Sequence, residues 1–107
     1  MSWSVTFLNE IVRGEFLALP KSLIAVTLRM IDLIEKNGLE KTGMPYVRHL
    51  EGKLWEIRAK GKDGITRSLY VTASGKRIVI VRCFARKTQK TSEKELKIAR
   101  QRAKEVE

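Results

Sequence analysis

Several kinds of residue are scarce in this chain, and each shortage excludes something. It has one cysteine, Cys83, and one histidine, His49, in 107 residues. A single cysteine cannot form an internal disulfide, and the two together cannot supply the four ligands of a structural zinc site. Prolines number two and aromatics make up 7%, while 43% of the residues are hydrophobic. That balance describes a folded domain and excludes a proline-rich linker. Long apolar runs are also missing. The longest, Leu23 to Ile34, is broken by Arg29 and Asp32, which argues against a membrane span of about 20 apolar residues. The N-terminus lacks a basic segment followed by an apolar run, so a cytoplasmic protein with no membrane contact is expected. No metal and no cofactor are expected.

Acidic residues are scarce as well. Twelve Asp and Glu face 22 Lys and Arg, giving a net charge of +10. Residues 1–47 are balanced, with five charges of each sign. Residues 48–87 carry eleven basic and three acidic side chains. The excess therefore lies in one segment, and that segment is strand-like. A solubilising surface would spread the charge; concentration on one face favours an anionic partner, nucleic acid above all.

The length predicts one domain covering residues 1–107. Trp3 to Phe7 alternates like a short strand. Asn9 to Leu19 has helical spacing and is stopped by Pro20. A second helix is predicted from Lys21 to Lys36, ending at Asn37-Gly38. Its apolar residues cover about half its circumference, wider than the usual stripe of about 100°. That surplus either packs inside the domain or receives a partner. Three strands follow, Leu54 to Lys60, Ile65 to Thr72 and Arg77 to Phe84, with Val47 to Leu50 as a further short one. Ser92 and Glu95 have capping-box spacing at the start of a last helix, whose apolar stripe is Leu96, Ala99, Ala103 and Val106. The order predicts an α+β domain: an antiparallel sheet of about four strands, two N-terminal helices and a C-terminal helix.

The turns suggest a register. A loop at Gly61 to Gly64 sets Lys60 against Ile65, Arg58 against Arg67 and Trp55 against Tyr70. A two-residue turn at Ser74-Gly75 sets Val71 against Ile78, Leu69 against Ile80 and Arg67 against Arg82. Both hairpins then match apolar with apolar along their buried stretches. Arg58, Arg67 and Arg82 would lie side by side, with Lys60 and Phe84 nearby. Like charges opposite each other cost about 0.2–1 kcal/mol per pair, a cost that a bound anion offsets. The bland alternative is that these arginines splay outward or pair with Glu51 and Glu56. Arg86 and Lys87, with Lys90 before the last helix, would extend the cationic surface. Trp55, Tyr70 and Phe84 are candidate base-stacking residues, the first two more in keeping with core.

Two runs carry a resemblance. Leu50-Glu51-Gly52 leads into Leu54-Trp55-Glu56-Ile57-Arg58, and Phe84-Ala85-Arg86-Lys87-Thr88-Gln89-Lys90-Thr91 precedes the last helix. With Glu15-Phe16-Leu17 and Ile65-Thr66-Arg67-Ser68-Leu69-Tyr70, they resemble the HigB-like, phage-derived branch of the RelE/ParE toxin superfamily. The resemblance spans residues 15–102. It implies the small RelE-type fold, a type II toxin–antitoxin system and ribosome-dependent cleavage of mRNA. It also implies a cognate antitoxin with a helix-turn-helix domain, through which alone the toxin would meet operator DNA. Position by position it carries over Arg58, Lys60, Arg67, Arg86 and Lys87, and implies catalytic roles for Arg58, Lys60, Arg67 and Lys87. Arg86, together with Arg82, Phe84 and Lys90 from the register and loop reading, is expected on the RNA and ribosome side. The apolar edge of the second helix, at Val26, Met30 and Leu33, becomes the candidate antitoxin surface. Many relatives carry a tyrosine or histidine near the C-terminus; here the last tyrosine is Tyr70 and the only histidine is His49.

Metal-free RNA cleavage needs the 2′-OH to attack the phosphate in line. It also needs the crowded phosphorane stabilised and protons moved at both oxygens. Arginine forks suit the phosphorane. Lys60 and Lys87 are the candidate proton shuttles, with His49 or Glu51 as alternatives. Two other functions stay open: a non-catalytic nucleic-acid-binding phage regulator, and a ParE-like gyrase inhibitor.

Overall fold

The fold follows from short local signals that a computed structural model lets us place in space, for residues 3–39, 47–86 and 92–106. Strand β1 is Ser4–Phe7. Asn9 then caps helix α1, Glu10–Leu17, its side chain accepting a hydrogen bond from the Val12 amide. Pro20, unable to continue α1, introduces helix α2, Lys21–Asn37. Gly38 closes α2 with φ 88°, a conformation that favours glycine. Strands β2 (Val47–Glu51), β3 (Leu54–Gly61), β4 (Gly64–Ala73) and β5 (Arg77–Arg86) follow, then helix α3, Glu93–Ala103.

The α+β class stands, but the sheet has five strands in the order β1-β5-β4-β3-β2. β1 runs parallel to β5 and the rest is antiparallel, so the sheet is mixed rather than antiparallel throughout. Two helices separate β1 from the meander, and no sequence period reveals such a long-range parallel pairing.

The helices take opposite faces. Beneath α1 and α2 lie Ile57, Ala59, Tyr70, Ile78, Ile80 and Cys83, packed with Val12, Phe16, Met30 and Ile34. Beneath α3 lie Leu54, Leu69, Val71, Val79, Val81 and Phe84, with Ala99 of the helix. Gly61 lets β3 approach α2: a Cβ there would stand 2.9 Å from Leu23 Cδ2. Ser22 Oγ donates to Asp63 Oδ2 at 2.5 Å, tying the β3–β4 turn to the start of α2.

The β3–β4 register is the one expected: Arg58 opposes Arg67, Lys60 opposes Ile65 and Trp55 opposes Tyr70. The β4–β5 register is not. Val71 opposes Val79, Leu69 opposes Arg82, and Arg67 opposes Phe84. Two features shift it. The turn holds three residues, with Gly75 at φ 77° and Lys76 at φ 56°. A bulge follows, because Tyr70 pairs with Ile80 and Leu69 with Arg82, leaving Val81 extra on β5. Ile78 and Ile80 consequently face α2 instead of sharing a face with Leu69 and Val71.

Candidate nucleic-acid interface

Strand alternation decides which charges share a face. On β3, residues 54, 56, 58 and 60 point to the α3 side. Cross-strand pairing adds Arg48 from β2, opposite Glu56, and Arg67 from β4, opposite Arg58. Phe84 stands across from Arg67 on β5, with Arg86 two residues on. The α3 face is therefore apolar under the helix and ionic beyond it.

The ionic part is ordered by carboxylates. Glu56 is fully buried and so is Arg67. Arg67 Nη1 donates to Glu56 Oε1 at 2.5 Å. The same oxygen lies 3.5 Å from Arg58 Nε, and the Arg58 side chain remains 19% exposed. Arg67 thus sits behind Arg58 rather than beside it at the surface. Lys60 and Arg48 are exposed.

Arg82 belongs to a second group. Its Nε donates to Glu95 at 2.7 Å and its Nη1 to Glu15 at 2.6 Å. Burial works against the Arg82 charge, but the bonds to Glu95 and Glu15 overcome it and hold the pKa above its ordinary value. The expected row of Arg58, Arg67 and Arg82 is thus broken at Arg82, because the bulge moves it off the register. Arg86 Nη2 bonds Ser92 Oγ at 3.0 Å and lies 3.6 Å from Glu95. The capping box expected from Ser92 and Glu95 does not form: Ser92 makes no side-chain cap bond, and both residues face arginines instead.

Glu15 ties this group together. β1 pairs with β5 only as far as Ile80, so the next part of the β5 edge is open. There the Cys83 amide donates to Glu15 Oε1 at 3.3 Å, and Arg102 Nη1 reaches the other oxygen at 2.8 Å. Arg100 meanwhile grips Glu51 at 2.6 and 2.8 Å and Glu93 at 2.6 Å. The hydrogen bond from Arg100 holds the Glu51 carboxyl below its ordinary pKa.

The remaining candidates divide clearly. Phe84 is 7% exposed, and the Arg86 guanidinium lies 5.7 Å from its ring centroid, so it packs inside rather than offering a face to a base. Tyr70 is fully buried under α2; burial raises its pKa, and its hydroxyl has no hydrogen-bond partner among the described residues. Trp55 is half-exposed on the α1–α2 side, edge-on to His49 at 4.9 Å. His49 shares that side, away from the ionic cluster, and its Nε2 is 2.8 Å from the Gly52 carbonyl oxygen. Lys87 and Lys90 lie outside the described residues. On α2, Met30 belongs to the core and Val26 is half-buried, while Leu33 is exposed together with Leu28, Ile11 and Leu17. Met30 is therefore not available to a partner; Leu33 is.

Cys83 is buried, and burial pushes its thiol up to about 12, so it is no nucleophile at neutral pH. Among the described residues no group of three or more His, Cys, Asp or Glu side chains is placed to hold a metal ion, and no helix is long and apolar enough to cross a membrane. The bland alternative, pairing with Glu56, is what Arg58 and Arg67 adopt. The residues that sequence reasoning missed are Glu15 and Glu95, which hold Arg82.

A family model described as phage-derived protein Gp49-like matches residues 14–104. No curated protein matches the chain.

Proposed function

The chain belongs to the phage-derived Gp49-like family, a RelE/ParE-like toxin family, and from that premise we propose that it is a HigB-type toxin that cleaves mRNA on the ribosome. One observation supports this most: Arg48, Arg58 and Lys60 lie on one sheet face around the buried Glu56–Arg67 pair. Guanidinium forks stabilise a pentacoordinate phosphate through paired N–H donors. Arg58 is the proposed phosphate clamp. Lys60, exposed next to it, is the proposed proton carrier, with Lys87 of the following segment as its partner. Arg67 is proposed to act through Glu56 and Arg58. Arg86 and Lys90 would contact RNA or ribosome further along the backbone. A cognate antitoxin with a helix-turn-helix domain is proposed to neutralise the protein through α2, where Leu28 and Leu33 are exposed.

Cell-free translation of a defined mRNA, mapped by primer extension, tests this. The proposal expects cuts that require translating ribosomes and that disappear with Arg58→Ala. Intact mRNA with DNA breaks at gyrase sites would favour a gyrase inhibitor. Intact mRNA with steeply salt-dependent RNA binding would favour a binding module.

A further inference from the structure

Glu56 is the one fully buried carboxylate among the described residues, and it is surrounded by arginines on one face. Arg48 opposes it on β2, Arg58 follows it by two on β3, and Arg67 reaches it from β4. A buried ion pair is a poor route to stability, since desolvating both ions cancels much of their attraction. A single apolar pair of similar volume would serve the core as well. The pair is thus a candidate for a role that an apolar pair could not fill.

We propose that Glu56 is a positioning residue: it holds the Arg58 guanidinium at the surface in the orientation that receives an RNA phosphate. The geometry carries this. Arg67 is buried behind Glu56 and fixes its Oε1, and that oxygen faces Arg58 Nε. Nε is one edge of the guanidinium fork, so holding it leaves the Arg58 side chain anchored from below while 19% of it stays exposed. An arginine on an otherwise flexible stem is thereby set before its ligand arrives, which lowers the ordering cost of phosphate binding. Glu56 itself touches no substrate. The inference deepens the proposed cleavage site and rests on that reading for its kinetic consequence, but not for its structural one.

The test compares wild type with Glu56→Gln and with the double variant Glu56→Leu, Arg67→Met, all checked for folding by circular dichroism. The first readout is the Nε–H resonance of Arg58, assigned by its loss in Arg58→Lys. It should be ordered in wild type and averaged by fast motion in both variants. The second readout is the shift of that resonance on adding a 2′-O-methyl RNA oligonucleotide, which cannot be cleaved. Binding at Arg58 should weaken about tenfold in the variants. In the ribosome assay, kcat should fall by about 10²-fold with KM little changed, the size of effect expected when a catalytic group is misplaced by about 1 Å. An Arg58 resonance equally ordered without Glu56 would overturn the inference, as would a mobile Arg58 with unchanged oligonucleotide affinity. A wild type that binds the oligonucleotide at Arg58 yet cuts no mRNA would sink the cleavage reading alone.

Discussion

The two faces of this sheet are built from alternate residues of the same strands, and they are held by different forces. Under α1 and α2, Ile57, Tyr70, Ile78 and Ile80 are buried against Val12, Phe16 and Ile34. Under α3 the sheet also buries Leu54, Leu69, Val71, Val79, Val81 and Phe84, but the helix itself adds only Ala99 as a buried apolar residue, and arginines do much of its fastening. Arg82, Arg86, Arg100 and Arg102 each tie α3 or its cap to another element or to an acidic neighbour. The lesson is a division of labour across one layer of backbone. The first face supplies stability by removing apolar area from water. On the second face the buried and half-buried arginines are held by carboxylates, Arg67 and Arg58 by Glu56 and Arg82 by Glu15 and Glu95.

The comparison breaks most visibly where a charge is buried deepest. Arg67→Ala leaves Glu56 buried beside a gap and should cost about 3–5 kcal/mol in denaturant unfolding. A loss under about 1 kcal/mol would mean the pair is not as buried as described. On the apolar face, Ile80→Ala should cost about 2–5 kcal/mol through lost burial and a cavity, with no added dependence on salt. Cys83 sharpens the same contrast. Its buried thiol, pushed up to about 12, should resist a thiol reagent at pH 8 in folded protein and react at once in denaturant; prompt labelling of the native state would contradict the packing. The smallest effect belongs to the exposed clamp of Arg100 on Glu51. Its bond lowers the folded pKa of Glu51 from about 4.5. The contribution is therefore complete above that value and fades as pH falls through the lower folded one. Thermal melts of wild type and Arg100→Ala should converge on acidification through that window and in high salt.

What was legible in the sequence follows the same division. The β3–β4 register could be read because Gly61 and Gly64 bracket a tight turn, which fixed Arg58 against Arg67. The α2 helix was legible from its period and from Gly38. The β4–β5 register was not, because a bulge at Val81 leaves no mark in an apolar run of valines and isoleucines. Lys76 adopts φ 56°, which its residue type does not advertise. Ser92 and Glu95 had the spacing of a cap, yet Arg86 and Arg82 compete for them from another element. Local patterns gave the elements and one hairpin, whereas the counter-ions came from residues far apart in sequence, such as Glu15 with Arg102. Most of the candidate arginines were found from sequence; which of them are exposed was not.

The central claim is that the Glu56–Arg67 pair is retained for function and not for stability. Ribosome-dependent mRNA cleavage by folded Glu56→Leu, Arg67→Met protein tests it most directly. The account predicts a protein within about 1–2 kcal/mol of wild type in unfolding free energy, because an apolar pair of similar volume replaces a buried ion pair without loss, and cleavage slowed by about 10²-fold. A double variant that folds and still cuts mRNA at the wild-type rate would contradict it.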